Sequence, residues 1–204
     1  LAIIRQMFFA NPAMSLGRKP VKLTIQPDIM PQYKDYVENR RFLKSGVIFT
    51  TVHIVGSKNN MRQDSPAAMA EYLARDRANL AWIGASFDLA IRQKAPAMVF
   101  AWQANLHATP RFNRGAPYSI AFTKTIDAVE RGAKLFRKPV LVIAGDFHIF
   151  DVSPFLNSRK EPIANVTRLQ VFGDDKVHAT LVNVDPAGQN IFTIKPLLVP
   201  GNAP

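Results

Sequence analysis

From Gly46 onward, short runs of consecutive apolar residues alternate with longer stretches whose apolar positions recur every three or four residues. Gly46–Gly56 (GVIFTTVHIVG) holds nine β-branched, aromatic or histidine residues, the composition of a strand. Asp64–Ser65–Pro66 is a helix start, with Ser65 at the N-cap and Pro66 at the first helical position. The helix is predicted to run to about Lys94, where Ala95–Pro96 ends it. Met69, Leu73, Leu80, Gly84, Phe87 and Ile91 recur at steps of three, four or seven and predict one buried stripe. Arg75, Asp76, Arg77 and Arg92 are then expected to face solvent or neighbouring loops. Ala97–Trp102 predicts another short strand. Pro117–Phe136 predicts a second long helix, with Ile120, Phe122, Ile126, Val129, Ala133 and Phe136 on its apolar side. Val140–Ala144 is an unbroken apolar run, as expected of a strand buried on both faces. The order strand, helix, strand, helix, strand predicts right-handed crossovers and a parallel sheet.

The flanks differ. In the opening LAIIRQMFFANP, Ala2, Ile3, Ile4, Met7 and Phe8 fall on one broad helical face. Neither a basic leader nor an A-x-A cleavage pattern precedes it, so it reads as a chain entered within a domain. Ala10–Pro20 and Pro27–Pro31 are rich in breakers and predict loops, with a short strand at Val21–Ile25 between them. Tyr33–Lys44 predicts a helical turn or an irregular excursion. After the central alternation, Asn165–Gly173, Val177–Asp185 and Asn190–Val199 are strand-like and joined by short Gly/Asp/Pro turns, which predicts antiparallel hairpins. His178 is expected to be a cross-strand residue.

Length and composition narrow the class. The 204 residues suit one domain with a substantial core, and 48% hydrophobic with 20% charged residues is ordinary for a globular chain. No window is apolar enough for a membrane span. With no cysteine, disulfides and thiolate metal sites are excluded. The net charge is +11, from 26 Lys/Arg and 15 Asp/Glu. Such a bias favours anionic partners such as phosphate esters, nucleic acid or an anionic surface. A run of five basic residues and an aromatic-plus-basic RNA motif are both absent.

The candidate chemistry lies where apolar runs end. Val140–Ala144 stops at Gly145, and Asp146 and His148 follow one residue apart. A buried strand releasing a carboxylate and an imidazole at its carboxyl end is how open α/β sheets place ligands, and divalent metals accept that donor pair. The bland alternative is a turn-capping aspartate and a hydrogen-bonded loop histidine. Ala97–Trp102 likewise delivers Gln103, Asn105 and His107. The strand at Gly46–Gly56 empties into Ser57–Lys58–Asn59–Asn60, whose amides either bond a substrate or make Asx turns. His53 reads as a core or cross-strand residue, and Arg111 and Arg114 sit in a loop where they reach a phosphate or solvate the surface.

In their order these parts resemble the carboxyl-terminal half of the calcineurin-like metallophosphoesterase superfamily. The matching pieces are the long helix around Tyr72–Ile83 (YLARDRANLAWI), the strand Val99–Gln103, Gly145–His148 (GDFH) and the tail Thr167–Pro186. The resemblance implies an αββα sandwich of two mixed sheets flanked by helices, incomplete at its amino-terminal end. It implies two divalent cations (Mn, Fe or Zn) at the carboxyl ends of central strands and hydrolysis of a phosphoester substrate. His148 matches the second histidine of the superfamily's G-H-x-H element, and Asp146 replaces the first. Gln103 stands nearest a further metal-site histidine, with His107 four residues on. Lys58, Asn59, Arg111 and Arg114 would meet phosphate charge. The superfamily's amino-terminal D-x-H, G-D and G-N-H-[DE] elements have no counterpart in residues 1–44, so by this resemblance the chain begins after them. Two other classes remain open: a non-catalytic anion- or nucleic-acid-binding α/β domain, and a degenerate phosphoesterase used as an interaction domain.

Overall fold

Alternating apolar runs and amphipathic stretches close into one mixed sheet with helices on one face. The structure, a computed structural model, describes residues 2–107, 119–174 and 177–202. In chain order the strands are β1 (Thr24–Ile25), β2 (Arg40–Lys44), β3 (Val47–Thr51), β4 (Met98–Trp102), β5 (Val140–Ala144), β6 (Asp151–Leu156) and β7 (Pro162–Gln170). They hydrogen-bond in the order β1-β2-β3-β4-β5-β7-β6. The neighbours β3, β4, β5 and β7 run parallel, as the alternation requires, while β1, β2 and β6 pair antiparallel. Two further strands, β8 (Ala179–Val184) and β9 (Phe192–Leu197), form a separate antiparallel sheet.

Side chains of the central strands alternate between two cores. Ile48, Met98, Phe100, Val140 and Val142 pack under the helices α4 (Pro66–Arg92) and α5 (Thr123–Phe136). Val47, Val99, Leu141 and Leu169 face the opposite way, where Val182, Val184, Phe192 and Ile194 of the small sheet cover them. The apolar run at β5 is thus buried on both sides, as its composition predicts.

Several elements depart from the sequence reading. Helix α4 starts as predicted, with Ser65 Oγ accepting the Ala68 N–H. Its buried stripe is Tyr72, Arg75, Asp76, Asn79, Trp82, Ile83, Ser86, Phe87 and Ala90, however, and Leu73 and Ile91 are exposed. The helix is rotated from the expected face because Arg75, Asn79 and Ser86 have polar partners in the strand ends below it. Arg75 and Asp76 are therefore buried. In α1 (Ala2–Phe8) Ile3, Ile4, Met7 and Phe8 are exposed, Ile3 at 71%. The last five residues of Tyr33–Lys44 form β2, joined to β3 through Ser45 (φ 50°) and Gly46 (φ 79°). Positive φ at both central residues of a two-residue loop matches the strand twist. The polar, basic composition of β2 hides it from pattern reading. Strand β6 was not predicted because Pro154 interrupts it. At the sheet edge the missing N–H costs no ladder bond. Only β8 and β9 form the predicted tail hairpin, because β7 joins the main sheet.

The two helices meet where Gly132 of α5 lies on the Phe87 ring. A methyl at Gly132 would sit 2.1 Å from Phe87 Cδ2. Gly132→Ala gains roughly 1 kcal/mol of helix propensity but overpacks this crossing at a cost of about 1–3 kcal/mol. A lower urea midpoint is expected, and an unchanged or higher one would show that the crossing is loose.

Candidate functional site

Three adjacent parallel strands, β3, β4 and β5, end together and bring one residue each to a common rim. Their register pairs Thr51 with Ala101 and Trp102 with Ala144. Just past β3 the backbone groups of His53 are taken by side chains. The His53 N–H donates to Asn39 Oδ1 at 2.7 Å. The His53 carbonyl accepts from Asn79 Nδ2 at 2.7 Å and Arg75 Nη1 at 3.1 Å. Asn39 Nδ2 in turn donates to Asn79 Oδ1 and Gln26 Oε1. The Ile54 carbonyl accepts the N–H groups of Gln103 and Ala104, both at 3.2 Å.

The next four residues are unusual. α3 (Gly56–Asn59) is a single turn, and Ser57, Lys58, Asn59 and Asn60 all have φ between 49° and 60°. Left-handed backbone costs roughly 1–2 kcal/mol per residue outside glycine, less for asparagine. The turn is held from α4. Arg75, 2% exposed, donates to Asn59 Oδ1 at 2.6 Å and to the Asn59 carbonyl at 3.0 Å. It also makes a two-pronged pair with Glu71 at 2.6 and 3.1 Å, and Glu71 accepts from Asn60 Nδ2 at 2.8 Å. Burial works against ionisation of Glu71, but the bonds from Arg75 and Asn60 outweigh it and hold its carboxyl below the ordinary value.

So fixed, Gly56 comes against the ends of β4 and β5. Its N–H donates to Gln103 Oε1. A Cβ at this position would lie 2.7 Å from Asp146 Oδ1 and 3.1 Å from Gln103 Oε1, a space only glycine leaves open. Asp146, at φ 83°, accepts from Gln103 Nε2 at 3.5 Å on Oδ1 and from the Asn105 N–H at 3.2 Å on Oδ2. Asn105 is held by Arg168 Nη1 at 3.1 Å, and Arg168 is anchored by Asp151 and Ser153. Gln103 and Asp146 are thus brought together.

The other expected site residues are placed differently. His148 (φ 56°) lies against Gly173, with Nδ1 3.0 Å from Asp174 Oδ1. His107 is buried: its Nε2 is 2.9 Å from the Leu156 carbonyl, and its ring stands edge-on to Phe155. Burial pushes the His107 imidazole down to about 4. Asn59 is fully buried and spent on Arg75, whereas Lys58 is exposed. Arg111 and Arg114 lie outside the described residues.

Among the described residues no three of His, Cys, Asp and Glu are grouped to hold a metal ion. The donors at the rim are the Asp146 carboxylate and the Gln103 amide oxygen, with His148 two residues beyond Asp146. Sequence reasoning missed Arg75, Asn79 and Asn39. An arginine and an asparagine four residues apart on a helix, on the same side as Trp82, is the signal that marks them. No protein-family model matches the chain, and no curated protein matches it significantly.

Replacing Arg75 with Met removes five hydrogen bonds, three of them to His53 and Asn59 past the strand end and two to Glu71, while keeping much of the volume. Leaving a buried acceptor such as the Asn59 carbonyl unsatisfied costs about 1–3 kcal/mol, so Arg75→Met is expected to lower the urea midpoint clearly. Stability within about 1 kcal/mol of the parent would show that the turn holds itself. His107 adds a pH signature. Unfolded, it titrates near 6.5, while folded it stays neutral down to about 4. The unfolded chain therefore binds the extra proton between these values. Its contribution is complete above pH 6.5 and fades as pH falls towards 4, by roughly 3 kcal/mol in all. Urea midpoints should fall across that window more steeply than in His107→Gln, and equal slopes would contradict the assignment.

Proposed function

We propose that this chain is the carboxyl-terminal part of a calcineurin-like metallophosphoesterase domain that hydrolyses phosphoesters. The observation that carries the reading is the meeting of Gly56, Gln103 and Asp146 at the carboxyl ends of three adjacent parallel strands. The helix-covered main sheet with a two-stranded sheet behind it corresponds to three of the four layers of an αββα sandwich among the described residues.

In this reading Asp146 and His148 hold part of a two-cation site, and the remaining ligands come from polypeptide outside these residues. Bound divalent cations would polarise the phosphoryl oxygens and make water nucleophilic near neutral pH. The chain's own residues do the rest. Gln103, fixed by the Gly56 N–H, keeps its amide N–H groups towards Asp146 and the ligand. Asn105 and Arg168 orient the Asp146 carboxylate, as outer partners of metal ligands do. Lys58, exposed on the turn beside Gly56, neutralises phosphate charge. His107 stays buried beside the Leu156 carbonyl and the Phe155 ring.

The test uses the full-length protein with an aryl phosphate and added Mn²⁺. Asp146→Asn and His148→Ala are each expected to lower bound metal and turnover together, by about 10–100-fold or more. Parental metal content and turnover in both variants would place the reaction elsewhere.

A further inference from the structure

Beside the rim lies a cavity of about 400 Å³. Ile4, Phe9 and Val55 wall it, and His53 and Gln103 give it one polar side. Gln103 thus belongs both to the cavity and to the rim with Asp146. The volume lies in the range of small-molecule sites, about 300–1,000 Å³, and suits a fused bicyclic ring.

The polar side is prepared for an anion's neighbour. Among the described residues the only carboxylate lining the cavity is Glu38, and Arg5 clamps it through Nε–Oε1 at 2.7 Å and Nη2–Oε2 at 3.1 Å. The charge of this wall carboxylate is thus matched by Arg5. His53 lies with Nδ1 buried 3.7 Å from Glu38 Oε2, beyond hydrogen-bond reach. Burial, opposed by Glu38, pushes the imidazole below its usual value. Phe9 is itself held flat by the Arg40 guanidinium, 3.9 Å above its ring. A phenyl and an imidazole ring on one cavity favour an aromatic occupant, through offset or edge-on ring contacts.

We infer that this cavity seats the aromatic organic group of a ligand whose anionic end lies at Gln103 and Asp146. The anion's identity rests on the phosphoester reading, whereas the ring's place rests on the cavity alone. The experiment separates the two with 1-naphthol, which has a ring and no phosphate, and with 1-naphthyl phosphate set against glycerol 2-phosphate. On the full-length protein, calorimetry should show one site for 1-naphthol. Val55→Trp fills the cavity, and Ile4→Trp blocks its mouth from an exposed helix position that tolerates substitution. Each should weaken naphthol binding by about tenfold, near 1.4 kcal/mol. Parental naphthol binding in both variants, or none in the parent, overturns the inference. Naphthol binding lost in the variants with no ester turned over keeps the cavity and removes the phosphoesterase reading. Ester turnover without preference for the naphthyl compound does the reverse.

Discussion

The Arg75 guanidinium is the constraint on which the rim depends. A buried cation costs several kcal/mol unless its donors are paired, and a left-handed turn at Ser57–Asn60 is costly by itself. The same bonds offset both. Arg75 is neutralised by Glu71 and satisfied by Asn59 and the His53 carbonyl, and those contacts hold the turn in its unfavourable conformation. Hydrogen bonds to charged groups contribute about 1.5–3 kcal/mol each, enough for two of them to cover most of the turn's cost. The consequence is positional. Gly56 is delivered close enough to Asp146 and Gln103 that no side chain fits there.

A second support comes from the far side of the rim. Asp146 is approached by the Asn105 N–H, and Arg168, anchored by Asp151 and Ser153, donates to Asn105 Oδ1. Arg168 is buried as well, and burial pushes its guanidinium below the usual value even with Asp151 beside it. Two buried arginines thus brace the two sides of one cluster, Arg75 through Asn59 and the His53 carbonyl and Arg168 through Asn105. Polar groups at the rim are left to face outward, as ligand chemistry at strand ends requires.

The sheet was legible in the sequence wherever burial made a continuous apolar run. β4, β5 and both long helices follow from composition and caps. The elements that escaped are those whose reasons lie in tertiary contacts. β2 reads as polar because its arginines reach over neighbouring structure: Arg41 donates to the Ala85 carbonyl and stacks on Trp82. β6 carries a proline that only an edge position permits. The face of α4 was misjudged because hydrophobic spacing alone cannot show that Arg75 and Asn79 point inward to strand-end carbonyls. Of the candidate residues, Gln103 and Asp146 were found by looking just past apolar runs, and they do meet. His107 obeyed the same pattern yet is a core histidine, since sequence position past a strand does not say which way the following loop turns. Asn59 was weighed as a turn residue, and that is what Arg75 makes of it.

The most direct test is anomalous diffraction at the manganese edge from crystals of the full-length protein soaked in Mn²⁺. The account predicts a peak within coordination distance of an Asp146 carboxylate oxygen, on the side where Gln103 and Gly56 approach. A peak bound elsewhere, with Asp146 left making only its bonds to Asn105 and Gln103, would contradict it.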